Sequence, residues 1–145
     1  MPECIKKTVD LVFLFDGSGS MREDEFTRNK YVINDIMDSL KNTSIKFAAV
    51  QFSTTYRKVF DFNDYEAGRA LDKLKAEQHM KTLTNTHKAL RFVLEDIMEN
   101  PDSGASRDAT KVLVLITDGD PSDTDRHGII NTYDEKSIIR FVIGT

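Results

Sequence analysis

A single cysteine, Cys4, in 145 residues leaves no partner for an internal disulfide and too few thiolates for a zinc cluster. No apolar run approaches the roughly 20 residues that a membrane helix requires. No secretory h-region follows Met1-Pro2-Glu3-Cys4, so a signal peptide is expected outside this stretch or already removed. Blocks of Lys or Arg are missing as well. Lys6-Lys7 and Arg57-Lys58 are isolated pairs, and a formal net charge of −4 with a pI near 5.4 argues against a nucleic-acid partner. No repeat and no low-complexity linker divides the chain, so residues 1–145 are expected to form one domain with a continuous core. One extracellular signal is present: the sequon Asn42-Thr43-Ser44 lies in a polar turn and makes Asn42 a glycosylation candidate.

What the chain does contain is four short, β-branched apolar runs: Val9 to Phe15, Phe47 to Phe52, Val112 to Thr117 and Ile138 to Ile143. Each is continuous rather than alternating, the pattern of strands covered on both faces. Helical patterns separate them. Phe26, Lys30, Ile33, Met37 and Leu40 repeat at helical spacing, Leu71, Leu74 and Lys75 mark a shorter helix, and Ala89 to Met98 carries a third apolar stripe. Such alternation predicts a doubly wound, Rossmann-like, mostly parallel α/β sheet with helices on both faces. Tyr56 to Phe62 alternates in polarity and follows the second run after only Ser53-Thr54-Thr55. So brief a link predicts an antiparallel strand at the sheet edge.

The first run ends abruptly in Asp16-Gly17-Ser18-Gly19-Ser20-Met21. In an α/β sheet, ligands bind outside the carboxyl ends of the strands. Asp16, Ser18 and Ser20 offer three hard oxygens on alternate residues, a donor set suited to Mg2+ and less exclusively to Mn2+ or Ca2+. The run Lys111 to Thr117 ends in the same way, in Asp118-Gly119-Asp120. If the two strands are neighbours, Asp16 and Asp118 emerge side by side, and two close carboxylates repel unless they share a proton or a cation. Thr82-Leu83-Thr84-Asn85-Thr86 is a third oxygen-rich segment.

Each of these residues also has an ordinary structural use. Ser20 with Glu23 reads as a capping box, Gly17 and Gly19 as tight-turn residues, Asp118-Gly119 as a turn pair, and Thr84, Asn85 or Thr86 as an N-cap. The metal reading draws its weight from three such loops falling at one predicted edge of the sheet. Catalytic readings find less support. A phosphoryl-transfer enzyme of the haloacid-dehalogenase type needs a second carboxylate two residues after the strand-end Asp, where this chain has Ser18. The glycines form neither a P-loop nor a dinucleotide fingerprint, and Ser18 lacks a nucleophile elbow. His79, His87 and His127 stand in polar contexts and read as solvent-exposed.

Asp16-Gly17-Ser18-Gly19-Ser20, the Thr-bearing middle segment and Thr117-Asp118-Gly119 together resemble the metal-ion-dependent adhesion site of von Willebrand factor A domains. Asp24-Glu25-Phe26, Phe47 to Ser53, Leu83-Thr84-Asn85-Thr86, Asp108 to Val112 and Ile138 to Gly144 extend the resemblance to the inserted (I) domains of leukocyte integrin α subunits, those of the αL type above all. That resemblance implies a Mg2+ held by Ser18 and Ser20 directly and by Asp16 mainly through water. It implies Thr84 as a direct ligand in a high-affinity state, and Asp118 as one that retreats behind a water on activation. It implies further that a Glu or Asp of an ICAM-type immunoglobulin-like ligand completes the shell, with Asp120 shaping the rim. The parent would be the extracellular part of a single-pass cell-surface receptor paired with an integrin β subunit, and not an enzyme. A matrix component or intracellular scaffold with the same domain is the alternative.

Two departures from the family pattern are expected to matter. The family continues past a strand equivalent to Ile138 to Ile143 with a further strand and a C-terminal helix, which this stretch lacks, so its last strand is expected to show an apolar edge. Pro121 to Thr132 is also longer and more polar than its αL counterpart, which bears on partner choice.

Overall fold

The computed structural model describes residues 8–19, 21–41, 43–53, 56–81, 86–117 and 129–144. Ser20, Asn42, Thr84, Asp118, Asp120 and His127 lie outside the described residues. The strands are β1 (Val9–Asp16), β2 (Ile45–Phe52), β3 (Tyr56–Phe60), β4 (Thr110–Thr117) and β5 (Ile139–Gly144). They form one sheet in the order β3-β2-β1-β4-β5, parallel except for β3, which pairs antiparallel with β2 at the edge. The helices are α1 (Glu23–Ser39), α2 (Phe62–Glu66), α3 (Ala70–Ala76), α4 (Thr86–Phe92) and α5 (Ile129–Glu135). The doubly wound, mostly parallel sheet read from the sequence is therefore the fold observed. Among the described residues no helix is long and apolar enough to cross a membrane.

The continuous apolar runs are explained by cover on both faces. Along β1, Leu11, Phe13 and Phe15 join Phe26, Ile33 and Met37 of α1 and Leu74 of α3 in one core. The alternate residues, Val12 and Leu14, join Ala89 and Leu90 of α4 and Tyr133 of α5 in the other. Phe13 stacks on Phe47 of β2 with ring centroids 5.8 Å apart. A strand with two dry faces can spare no polar alternation, which is why periodicity alone does not distinguish its sides.

Two elements differ from expectation, each for a local reason. The third strand stops at Phe60 rather than Phe62 because Asp61 and Asp64 cap α2 reciprocally. The Asp61 carboxylate accepts from the Asp64 N–H at 2.9 Å, and the Asp64 carboxylate accepts from the Asp61 N–H at 3.1 Å. Phe62 is thereby carried off the strand and into the core beneath α4. The Ala89 to Met98 stripe is not one regular helix: beyond α4 it continues as a π-helical segment, Val93–Met98.

The β1→α1→β2 connection runs to one side of β1 while β4 lies on the other. The carboxyl ends of β1 and β4 thus flank a topological switch point, where such sheets open a crevice. At the far side β5 is the edge among the described strands, and Ile139, Phe141 and Val142 are exposed there, as the sequence indicates.

Asp64 also gives the fold an acid-sensitive tie. Burial acts to raise its pKa, but the Asp61 N–H, Lys73 at 3.0 Å and Arg69 at 3.2 Å outweigh it and hold the value at about 2, below the ordinary 3.8. A depressed carboxylate pKa contributes stability that is complete above the unfolded value and is lost as pH falls through the folded one. Replacement of Asp64 by Asn is expected to cost about 1–2 kcal/mol near neutrality, discounted because Arg69 and Lys73 are half exposed. In denaturant titrations the gap between parent and variant should shrink between about pH 4 and pH 2. A gap independent of pH would contradict this account.

Candidate metal centre

Strand β1 buries a carboxylate near each end, and the two are treated differently. Asp10, fully buried, has Lys111 Nζ at 2.6 Å, the Ser106 N–H at 2.7 Å and Lys46 Nζ at 3.7 Å. Asp16, equally buried at the carboxyl end, accepts from the Ser18 N–H at 2.7 Å and from the Thr117 hydroxyl at 3.0 Å. Both of those donors are neutral, and among the described residues Asp16 has no cationic partner. Removing a charged carboxylate from water costs several kcal/mol unless an opposite charge compensates. The donor chemistry therefore fits a cation: a buried carboxylate, an adjacent serine that is 2 % exposed, and a threonine from the neighbouring strand. Among the described residues no cluster of three His, Cys, Asp or Glu side chains is gathered, so hydroxyl oxygens would have to supply much of the shell.

Parallel pairing makes this arrangement. Phe15 is in register with Ile116, so Asp16 and Thr117 come next to each other as their strands end. The Gly17 N–H continues the β1–β2 ladder by donating to the Phe52 carbonyl at 2.8 Å. Gly17 is needed for close approach and not for the tight turn expected of it. A Cβ at Gly17 would fall 1.8 Å from Gln51 Oε1. Gln51, fully buried, passes beneath Gly17 and accepts from the Met80 N–H at 2.8 Å. Its amide donates to Glu77 Oε2 at 2.5 Å and to the Gln78 carbonyl at 2.7 Å.

Of the expected ligands, Asp16 and Ser18 are brought together here; Ser20, Thr84, Asp118 and the rim residue Asp120 are outside the described residues. The capping-box reading of Ser20 with Glu23 does not hold, since α1 begins at Glu23 with Arg22 in the N-cap position. Glu25 supplies the reciprocal contact, accepting from the Arg22 N–H at 3.4 Å. His79 is likewise not solvent-exposed: its side chain is 1 % accessible. It stacks on Phe26 at 4.6 Å, and its Nε2 lies 2.8 Å from the Ser18 carbonyl. Glu23, on the rim of α1, is held below the usual carboxylate range chiefly by a hydrogen bond from Lys81, 2.9 Å away.

Gln51, His79 and Thr117 are residues to which sequence reasoning gave no role in the site, Thr117 having entered only as part of Thr117-Asp118-Gly119. Gln51 carried a signal, being one amide inside the apolar run Phe47 to Phe52. His79 carried none, because its burial depends on α1 packing against the segment after α3.

Residues 10–145 match the von Willebrand factor type A domain, and the chain belongs to that family. It is homologous to the I domains of leukocyte integrin α subunits. Mouse integrin alpha-X is 34 % identical over 145 residues, which cover 98 % of this chain and 12 % of the integrin. Mouse integrin alpha-M is 31 % identical over 145 residues with the same coverage of each. Mouse matrilin-3 is 31 % identical over 125 residues, 83 % of this chain and 26 % of that protein. The chain thus spans about an eighth of the length of the integrins it matches. In fold it resembles proximal thread matrix protein 1 of the mussel byssus, solved with a zinc-occupied MIDAS motif, at a TM-score of 0.84 and 20 % identity over 96 % of this chain and 38 % of that one.

A substitution at Gly17 tests the close approach. The change Gly17→Ala is expected to destabilise by about 2–4 kcal/mol, because Gln51 must leave and three part-buried hydrogen bonds go with it. Adding Gln51→Ala removes the clash, so the double variant should be clearly more stable than the sum of the singles in chemical denaturation. Simple additivity would show that Gln51 is not what excludes a side chain from position 17.

Proposed function

We propose that this domain binds a divalent cation, Mg2+ first and Mn2+ or Ca2+ in its place, and through it an acidic residue of a protein ligand. The observation that carries the reading is Asp16: a buried carboxylate at the switch point whose described partners are both neutral. Asp16, Ser18, Ser20, Thr84 and Asp118 would hold the ion, with Asp120 on the rim. Bound there, it would supply an electropositive acceptor for a foreign carboxylate. The residues' own contributions are positional. Asp16 fixes the Ser18 peptide through its N–H, and Thr117 fixes Asp16 from the neighbouring strand. Serine and threonine hydroxyls add no formal charge, so the donor set is less negative than a carboxylate cluster and favours an acidic partner.

The similarity to integrins alpha-X and alpha-M supports an adhesion domain of a leukocyte-type integrin α subunit, extracellular in its parent receptor, paired with a β subunit and directed at an ICAM-type immunoglobulin-like ligand. Matrilin-3 favours a second reading, a secreted matrix protein using the same chemistry on another partner. The mussel protein, whose MIDAS motif holds zinc, supports divalent-ion binding in either setting. The site is read as binding and not turnover, because Ser18 stands where phosphoryl-transfer chemistry would place its second carboxylate.

Titration calorimetry with MgCl2 or MnCl2 tests the ion, and capture on immobilised ICAM-type ligand tests the partner. Asp16→Ala is expected to weaken cation binding by about 10–100-fold. Capture in Mg2+ should disappear with EDTA and in Asp118→Ala. Capture that survives EDTA would refute the metal bridge. Cation binding without ICAM capture, but with EDTA-sensitive capture on matrix proteins, would select the second reading.

A further inference from the structure

The segment between α3 and α4 is tied to the Asp16–Ser18 turn at two consecutive carbonyls. The Lys81 N–H donates to the Gly17 carbonyl at 2.7 Å, and His79 Nε2 lies 2.8 Å from the Ser18 carbonyl. A carbonyl oxygen can only accept, so Nε2 is the nitrogen that carries the proton. Among the described residues Nδ1 makes no hydrogen bond, and it lies 3.4 Å from a Glu23 carboxylate oxygen. The imidazole lies against Phe26 with the ring planes 4° apart, and Phe26 in turn packs on Phe15 at 5.8 Å. Gln51 holds the same segment from below by its contacts to Glu77, Gln78 and Met80. Lys81 closes it in a left-handed conformation, φ 62°, which a residue with a side chain adopts only when its surroundings enforce it.

Ser18 is therefore fixed on both sides of its Cα. Its N–H is spent on Asp16 at 2.7 Å, and its carbonyl receives the Met21 N–H at 3.2 Å as well as His79. With both peptide planes set, little freedom remains in the direction of the Cα–Cβ bond, and so in where the hydroxyl can reach. Packing alone does not require this bond. A phenyl ring at 79 could keep the stack on Phe26, but only a ring or chain with a polar hydrogen can hold the Ser18 carbonyl.

We infer that His79 is a positioning residue for the cation site, holding Ser18 rigid enough for the site to prefer Mg2+ over Ca2+. The inference rests on the proposed cation site. Its physical basis is the difference between the two ions. Mg2+ demands near-ideal octahedral geometry at about 2.0–2.1 Å, whereas Ca2+ accepts irregular shells at about 2.3–2.6 Å. Loosening one oxygen donor therefore penalises Mg2+ more than Ca2+. A role confined to packing would lower stability and affect both ions alike.

Two substitutions separate the parts His79 plays. His79→Phe retains the stacked ring and loses the hydrogen bond; His79→Gln retains a donor and loses the ring. In calorimetric titrations of the full chain with MgCl2 and with CaCl2, His79→Phe is expected to weaken Mg2+ binding by about 3–10-fold, the worth of one hydrogen bond. Ca2+ binding should change by less than about twofold, so the Mg2+ to Ca2+ preference falls. His79→Gln should recover most of the Mg2+ affinity even where its Tm is lower. Unchanged Mg2+ affinity in His79→Phe overturns the inference, as does an equal loss for both ions, or a loss in each variant that follows Tm alone. A parent chain that binds neither ion would overturn the cation site itself and this inference with it. A parent that binds both while His79→Phe matches it would overturn only the role of His79.

Discussion

The placement of two carboxylates on one buried strand governs the rest of this molecule. β1 lies at the centre of the sheet with apolar cover on both faces, the worst environment in the domain for a formal charge. At its amino end the charge of Asp10 is matched by lysines from β4 and β2, which also bind the three strands to each other. At its carboxyl end Asp16 is met by a backbone amide and a hydroxyl. At one end the charge is thus matched by the chain's own lysines, although Asp10 Oδ1 accepts no hydrogen bond among the described residues. The other is arranged around oxygen atoms and lies where the sheet topology opens a crevice.

Around Asp16 the construction is economical because one amide does several jobs. Gln51 occupies the space that a side chain at position 17 would take, and its polar atoms are all engaged by the segment that follows α3. That segment in turn reaches the Gly17 and Ser18 carbonyls. A turn at the end of a strand would ordinarily be among the looser parts of a fold. Here it is held from below by β2, from the side by β4 and from above by His79 stacked on α1. Rigid support of this kind distinguishes a binding turn from a merely polar one.

Much of this could be read from residue order alone, for reasons that are themselves physical. Continuous β-branched runs announced doubly covered strands, and a three-residue link announced the antiparallel edge strand, because parallel neighbours need a long crossover. The Asp-x-Ser pattern marked the turn, since hydroxyls on alternate residues after a buried strand have few structural uses together. What escaped was set by contacts between distant segments. Phe62 continues the polarity pattern of β3 but leaves the strand, because Asp61 and Asp64 cap each other first. Ser20 matches a capping box, yet α1 starts later, at Glu23. The polar surroundings of His79 in sequence gave no sign of Phe26, 53 positions earlier, against which its ring is pressed.

The wide-wound stretch Val93–Met98 has a bearing on how this domain can tolerate change in length. Its Glu99 N–H bonds to the Leu94 carbonyl at 3.0 Å, five positions back, so each ring holds one residue more than an α-helical ring. Excising a single residue there would tighten the ladder to ordinary α geometry and leave the chain on either side free to keep its course. The same excision in α1 would rotate every following side chain by about 100° and drive polar groups into the core. Val93, Leu94, Ile97 and Met98 of that stretch share a core with Val12 and Leu14 of β1, so the residue that the domain could spare there is Glu95 or Asp96, on the exposed side.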